Sequence, residues 1–137
     1  MYANGDGVPE DDKQAVKWYR LAAEQGDAKA QYNIGFMYAN GEGVPEDDKQ
    51  AVKWYRLAAE QGHAKAQYNL GVMYRNGRGV PEDKVLAYMW WNLAAANGYE
   101  NAYTNNKGII AKRMTSSQIE KAQELSRECL KRNYKNC

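Results

Sequence analysis

The amino-acid sequence predicts an all-α fold in which pairs of helices stack into a solenoid. The first observation is a repeat: residues 1–36 and 37–72 differ at only four positions in a chain of 137 residues, so the period is 36. The second is that each unit contains two segments with apolar residues at helical spacing, separated by glycine-containing turns. A period of this length with two helices is typical of stacked helical repeats.

The repeat frame divides the chain, which we expect to be a single domain, into units 1–36, 37–72 and 73–108, followed by a C-terminal cap helix and tail at 109–137. Trp18, Trp54 and Trp90 fall at equivalent positions. The first repeat lacks its first helix, since residues 1–5 match only the last turn of one. We therefore expect exposed apolar surface at this end, which a longer protein or self-association through the incomplete repeat would cover.

The first predicted helix spans residues 10–25 and is the second, or B, helix of its repeat. Pro9 suits a first helical turn, acidic residues after it suit the positive end of the helix dipole, and Gly26 ends the helix. The following A helix is predicted at 28–39. Gly35 within it would allow a neighbouring helix to approach closely.

The same pattern predicts a B helix at 46–61, an A helix at 64–75 and a B helix at 82–97. A degenerate A helix at 100–113 and a final helix at 116–132 follow. Thr115 or Ser116 can cap the final helix, which we expect to close the end of the stack. The third B helix is more apolar than its copies, and the cap helix is expected to cover its Trp91.

The joints between repeats carry glycines and acids, in "NGDGVPEDD" at residues 4–12 and "NGEGVPEDD" at 40–48. Such a loop could bind a metal, cradle an anion or only turn the chain. The spacing is not that of a calcium-binding loop, and the third copy places Arg78 where the others have an acid. The pattern therefore favours a structural turn with no metal.

Other functional classes have little support in the sequence. His63 is the only histidine, and the other copies have Asp27 and Tyr99 at its position, which indicates a turn residue rather than a catalytic one. We predict no catalytic residue and no cofactor. The net charge of +2 gives no reason to expect nucleic acid as a partner. The chain lacks the run of about 18 apolar residues that membrane insertion requires.

Two stretches carry a family resemblance: "AKAQYNLGVMY" at 64–74 with "NGRGVP" at 76–81, and "AVKWYRLAAEQG" at 51–62. They resemble the Sel-one-like repeat (SLR) family, a relative of the tetratricopeptide repeats. The resemblance implies a right-handed α/α superhelix whose concave surface is lined by A helices. It also implies an adaptor or scaffold without a shared reaction, located in the bacterial periplasm or secreted, with the cytoplasm as the alternative.

The two cysteines, Cys129 and Cys137, leave two alternatives open. On one continuous helix their Cα atoms would lie about 12 Å apart, too far for a disulfide. A bridge requires the last helix to end near Asn133 and the chain to fold back. Some cysteine-rich SLR proteins bridge helices at this eight-residue offset. The alternative is a pair of reduced thiols.

The predicted binding surface is the face of the A helices that points away from their packing stripe. Exposed asparagines on such a face can hydrogen-bond to an extended peptide. The function predicted is a protein–protein interaction scaffold that binds a peptide or protein there; the alternative is a structural repeat segment of a larger exported envelope protein without its own ligand. The candidate residues are Lys29, Asn33, Phe36, Asn40, Lys65, Asn69, Val72 and Asn76.

Overall fold

The structure, a computed structural model, describes residues 9–102 and 108–137 and contains no strand in those ranges. Consecutive helices from α1 to α5 pack on one another, and α7 packs on α5, so the all-α prediction is confirmed. No helix among the described residues is long and apolar enough to cross a membrane. The helices are α1 (Pro9–Glu24), α2 (Ala28–Asn40), α3 (Asp48–Ala59), α4 (Ala64–Asn76), α5 (Lys84–Ala96), α6 (Gly108–Ala111) and α7 (Ser116–Lys131).

Two predicted helix starts, at residues 46 and 82, are wrong by two residues. Asp47 and Asp83 have extended backbones and act as N-caps, their carboxylates accepting the Gln50 and Leu86 N–H groups. The acids at these joints therefore cap the helix from outside instead of filling its first turn. The predicted helix at 100–113 falls partly outside the described residues, and α6 is the short helix found near its end.

The glycines of each joint have distinct structural roles. Gly41 is the left-handed C-cap of α2, with φ of 68° and its N–H donated to the Met37 carbonyl. Gly43 lies against the preceding B helix: a Cβ there would sit 2.6 Å from the Asp12 carbonyl oxygen. The second glycine is thus required for a close backbone contact between repeats.

The aromatic core runs through the middle and C-terminal repeats. Trp54 and Trp90 are 5% and 1% exposed, whereas Trp18 is 64% exposed. Trp91 is fully buried, but the contacts that define its place are on α4, where its indole N–H donates to the Tyr68 carbonyl at 3.0 Å. It lies over Gly71, where a Cβ would come within 2.4 Å of its ring nitrogen. The prediction that the cap helix covers Trp91 did not include this contact with α4.

The chain folds back after α7, where Cys129 and Cys137 form a disulfide with Cα atoms 5.5 Å apart. The intervening tail has three non-glycine residues with positive φ: Asn133, Tyr134 and Asn136. Lys135 donates to the Glu60 carbonyl at 2.9 Å. The closed tail therefore reaches across to the end of α3, two repeats' worth of helices away in sequence.

Candidate functional site

Three of the eight predicted binding residues meet in one groove between the starts of α2 and α4. This α2–α4 groove has a volume of about 330 Å³ and is lined by Lys29, Tyr32, Asn33, His63, Ala64 and Lys65. The groove exists because the repeat places α2 and α4 in equivalent positions, with the turn that follows α3 between them. Lysines at matching positions of two A helices therefore face the same space.

An aromatic stack forms one side of the groove. The rings of Tyr32 and His63 are 5.1 Å apart and nearly parallel, at 27°. The Tyr32 ring also lies 5.8 Å from that of Tyr55 on α3. Asn69 hydrogen-bonds to both tyrosines, while burial raises the pKa of each phenol and keeps it neutral. These contacts fix the groove wall without using a charged group.

His63 is the N-cap of α4: its Nδ1 accepts the Ala66 N–H at 3.2 Å. Because Nδ1 must be unprotonated to accept, the cap exists only in the neutral imidazole. Burial lowers the pKa of His63 below 6.5, Lys65 and Lys29 lower it further, and Asp27 acts in the opposite direction. The histidine interpreted as a surface turn residue is therefore a half-buried cap, equivalent to Asp27 at the start of α2.

The other five predicted binding residues lie outside the groove lining. Asn69 contacts the tyrosine wall, and Val72 is half-buried against the core. Phe36 is exposed, with its ring 6.3 Å from that of Tyr32, so it extends the aromatic surface along α2. The asparagines that end the two A helices, Asn40 and Asn76, are both exposed, and the Asn40 amide donates to the Phe36 carbonyl of its own helix.

A buried amide ladder between repeats escaped the sequence analysis. Gln31 and Gln67, 4% and 0% exposed, donate to the Ala23 and Ala59 carbonyls at the ends of the preceding B helices. Gln61 donates to the Gln31 side chain at 2.9 Å, and Asn97 to that of Gln67 at 3.0 Å. The available signal was a glutamine held inside an apolar stripe at the same position of the first two copies.

Stacked helix pairs of one repeating sequence, with a groove between equivalent helices of successive pairs, define an α-solenoid repeat protein. The chain belongs to the Sel1 repeat family, whose model matches residues 1–27, 28–63 and 64–99. The second and third windows are each 36 residues long and begin with the A helices α2 and α4, so they have the predicted period in a different phase. The match confirms the resemblance found in the sequence, and Sel1 repeats are commonly protein-interaction modules.

Two solved structures are similar to this chain over most of its length. A protective antigen of uropathogenic Escherichia coli strains, c5321, which displays an SLR fold, has 37% identity and a TM-score of 0.90 over 96% of this chain. The match covers 29% of that antigen's chain. A Sel1 repeat protein from Oxalobacter formigenes has 45% identity and a TM-score of 0.68, covering 78% of this chain and 80% of its own. No curated protein matches.

Proposed function

We propose that this chain is a protein–protein interaction module that binds a peptide or protein segment in the α2–α4 groove, without catalysing a reaction. The observation that carries the proposal is the meeting of Lys29, Asn33 and Lys65 in that groove. The sequence predicts all three as binding residues on the A-helix face. A groove with an aromatic wall and polar rims suits a segment of polypeptide, because rings give contact area while amides and lysines give direction.

Position-specific crosslinking tests this proposal without depending on charge. A photoreactive phenylalanine analogue replaces Asn33 in the groove or, as the matched control, Lys13 on the exposed face of α1. The two substituted proteins are irradiated in extracts of the source cells. We expect a discrete adduct from position 33 and none of the same mass from position 13. Equal adducts from both positions, or an adduct from position 13 alone, would place binding elsewhere and contradict the proposal.

A second candidate is a structural segment of a larger exported protein without its own ligand, in which further repeats or a second copy of this chain cover the exposed end. The exposed Trp18 and Leu21 on α1 favour it, because the copies of Trp18 are buried by a preceding repeat. The 29% coverage of the E. coli antigen is in keeping with a segment of a longer array. Sedimentation analysis separates the cases: a monomer at high concentration argues against self-association, and a Trp18→Glu variant should dissociate any dimer.

Location in the bacterial periplasm or outside the cell is part of the same proposal. The Cys129–Cys137 disulfide supports it, because disulfides persist in oxidising compartments. Alkylation of the protein in intact cells tests it: thiols that remain unreactive until a reductant is added indicate an oxidising compartment. Two reactive thiols before reduction would favour the cytoplasm.

A further inference from the structure

The α2–α4 groove carries positive charge at positions where helices normally avoid it. Lys29 and Lys65 are the second residues of α2 and α4, and neither helix has an acidic residue in its first turn. A lysine near a helix N-terminus is unfavourable, since the helix dipole is positive there. Two equivalent breaches of this rule around one groove point to a function that outweighs a small loss of stability.

The neutral residues of the groove do not offset this charge. Lys65 and Lys29 both lower the pKa of His63, which is neutral in its capping role. The Asp27 carboxylate raises that pKa, but it is exposed and lies outside the groove lining. Neither lysine forms a salt bridge among the described residues. The two ammonium groups are thus available to an anion from outside the chain.

The third repeat shows that the charge belongs to this groove and is no general property of the solenoid. At the position of Lys65 it has Asn101, and at that of His63 it has Tyr99, whose ring lies 4.8 Å from that of Tyr68. The aromatic contacts therefore continue from the second repeat into the third, whereas the lysines do not. The aromatic contacts serve stacking, and the lysines require a separate explanation.

We infer that the groove recognises a carboxylate group of an acidic peptide segment, with Lys29 and Lys65 on either side of it and the Asn33 amide as a hydrogen-bond donor. Asn33 makes no side-chain hydrogen bond among the described residues, in contrast to its copy Asn69. Two cations and an amide around one space suit a planar anion that accepts several hydrogen bonds. This inference rests on the proposed function and names the chemistry of its ligand.

Titration with three peptides of one length tests the inference and separates two sources of carboxylate. The first is penta-aspartate, acetylated and amidated at its ends; the second is penta-asparagine with the same ends; the third is acetylated penta-asparagine with a free C-terminal carboxylate. Backbone amide shifts are followed by NMR at physiological ionic strength, where charges farther apart than about 8 Å are screened. Shifts at residues 29, 33 and 65 are expected with the first peptide and not with the second. Shifts with the third peptide alone would mean that the groove recognises a chain-terminal carboxylate, which would contradict the acidic segment.

Matched variants assign the binding to the two lysines. Lys29→Gln/Lys65→Gln should weaken carboxylate binding by about tenfold, since each ion pair is partly exposed. Lys13→Gln/Lys49→Gln removes the same charge at the same repeat spacing from the B helices and should change it less than about twofold. The groove variant should also keep or slightly raise the melting temperature, because both substitutions remove a cation from a helix start.

The outcomes distinguish failure of this inference from failure of the proposed function. Equal groove shifts with penta-asparagine would overturn the carboxylate assignment and leave a peptide-binding groove. Equal loss in both double variants would also overturn it, as a general charge effect. The absence of any groove shift overturns it as well, and the charge-independent crosslinking from position 33 then decides whether the groove binds another kind of segment.

Discussion

Residues 11–26 and 47–62 are the same sixteen-residue sequence in two places of one molecule. In α3 the tryptophan, Trp54, is 5% exposed and packs in a core cluster with α1 and α2; in α1 its copy, Trp18, is 64% exposed. Identical local sequence therefore gives a helix in both places but a core residue in only one. Helix formation is encoded within the segment, whereas its stabilisation depends on the neighbouring repeat.

Substitution of the two tryptophans should give the largest difference between these helices. Trp54→Ala should lower the free energy of unfolding by about 3–5 kcal/mol, because it empties a buried site between repeats. Trp18→Ala should change it by about 0.5 kcal/mol or less, as for other exposed positions. Urea denaturation followed by far-UV circular dichroism measures both. A similar loss at Trp18 would show that this face is covered, and its dependence on protein concentration would identify a second copy as the cover.

The C-terminal tail adds a second difference between the two copies. Past α3, Gly62 lies under the Tyr134 ring, where a Cβ would be 3.2 Å from the ring, and the Glu60 carbonyl accepts Lys135. Past α1, a Cβ at the equivalent Gly26 would meet no atom within 4 Å. The disulfide holds the tail in this place, with three residues in left-handed backbone conformations. The tail thus stabilises the end of α3 alone.

Opening the disulfide should make the two turns more alike. Cys137→Ala leaves Cys129 buried as a small apolar side chain and should cost about 2–3 kcal/mol, the usual range for a short closed loop. Amide exchange at residues 60–62 should then accelerate toward the rate at 24–26. Reductant should destabilise the wild type and leave the variant unchanged. If reduction changes neither the stability nor these exchange rates, the tail does not depend on the bridge.

A charge pair provides the third difference. Asp48 at the start of α3 accepts from Arg78 at 2.8 Å, and the same guanidinium donates to the Ala39 carbonyl at 3.1 Å, joining successive repeats. Asp12, the copy of Asp48, has a buried carboxylate oxygen without a hydrogen-bond partner among the described residues. The position equivalent to Arg78 in that joint holds Glu42. Arg78, the residue that argued against a metal site, therefore links successive repeats through hydrogen bonds.

Supplying Asp12 with the missing partner should stabilise the first joint. Glu42→Arg should raise the free energy of unfolding by about 0.5–1 kcal/mol, because the backbone of the two joints is equivalent and the new pair is partly exposed. Glu42→Gln is the control, since it removes the negative charge without adding a guanidinium, and should achieve less than half of the gain. Thermal and urea denaturation of the wild type and the two variants measure these free energies of unfolding. Equal gains would mean that repulsion between Glu42 and Asp12, rather than a missing donor, distinguishes the joints.

Much of the fold could be predicted from the sequence because a near-perfect repeat reports its own period. The helix ends, set by Gly26, Gly41 and the caps, followed from local chemistry within one or two residues. The groove was predictable in part: Lys29, Asn33 and Lys65 follow from helical spacing. Its wall was not, because Tyr32 meets His63 only after the turn past α3 places the two A helices side by side. The interrepeat contacts of Arg78 and Gln67 depend on the same long-range placement.

The N-caps that follow α1 and α3, the two helices of the shared sequence, should give the smallest difference, and one that depends on pH. Asp27 caps α2 and His63 caps α4, so the second cap alone contains a group that titrates near neutrality. The pKa of His63 is lower in the folded chain than its ordinary value of 6.5, chiefly through burial and then the nearby lysines, and the unfolded chain therefore binds the proton first. The contribution of this cap is fully present above pH 6.5 and is lost as the pH falls below 6.5 and through the folded-state pKa. The loss should not exceed about 1 kcal/mol, the usual contribution of an N-cap.

His63→Asn keeps a capping side chain that does not titrate, so the wild type should lose stability relative to this variant between pH 7 and pH 5 in urea denaturation, at concentrations where both are in the same association state. Parallel pH profiles for the two proteins would mean that the imidazole has the same proton affinity in the folded and unfolded chain, and that the cap and its lysine neighbours do not act on it as the groove geometry requires.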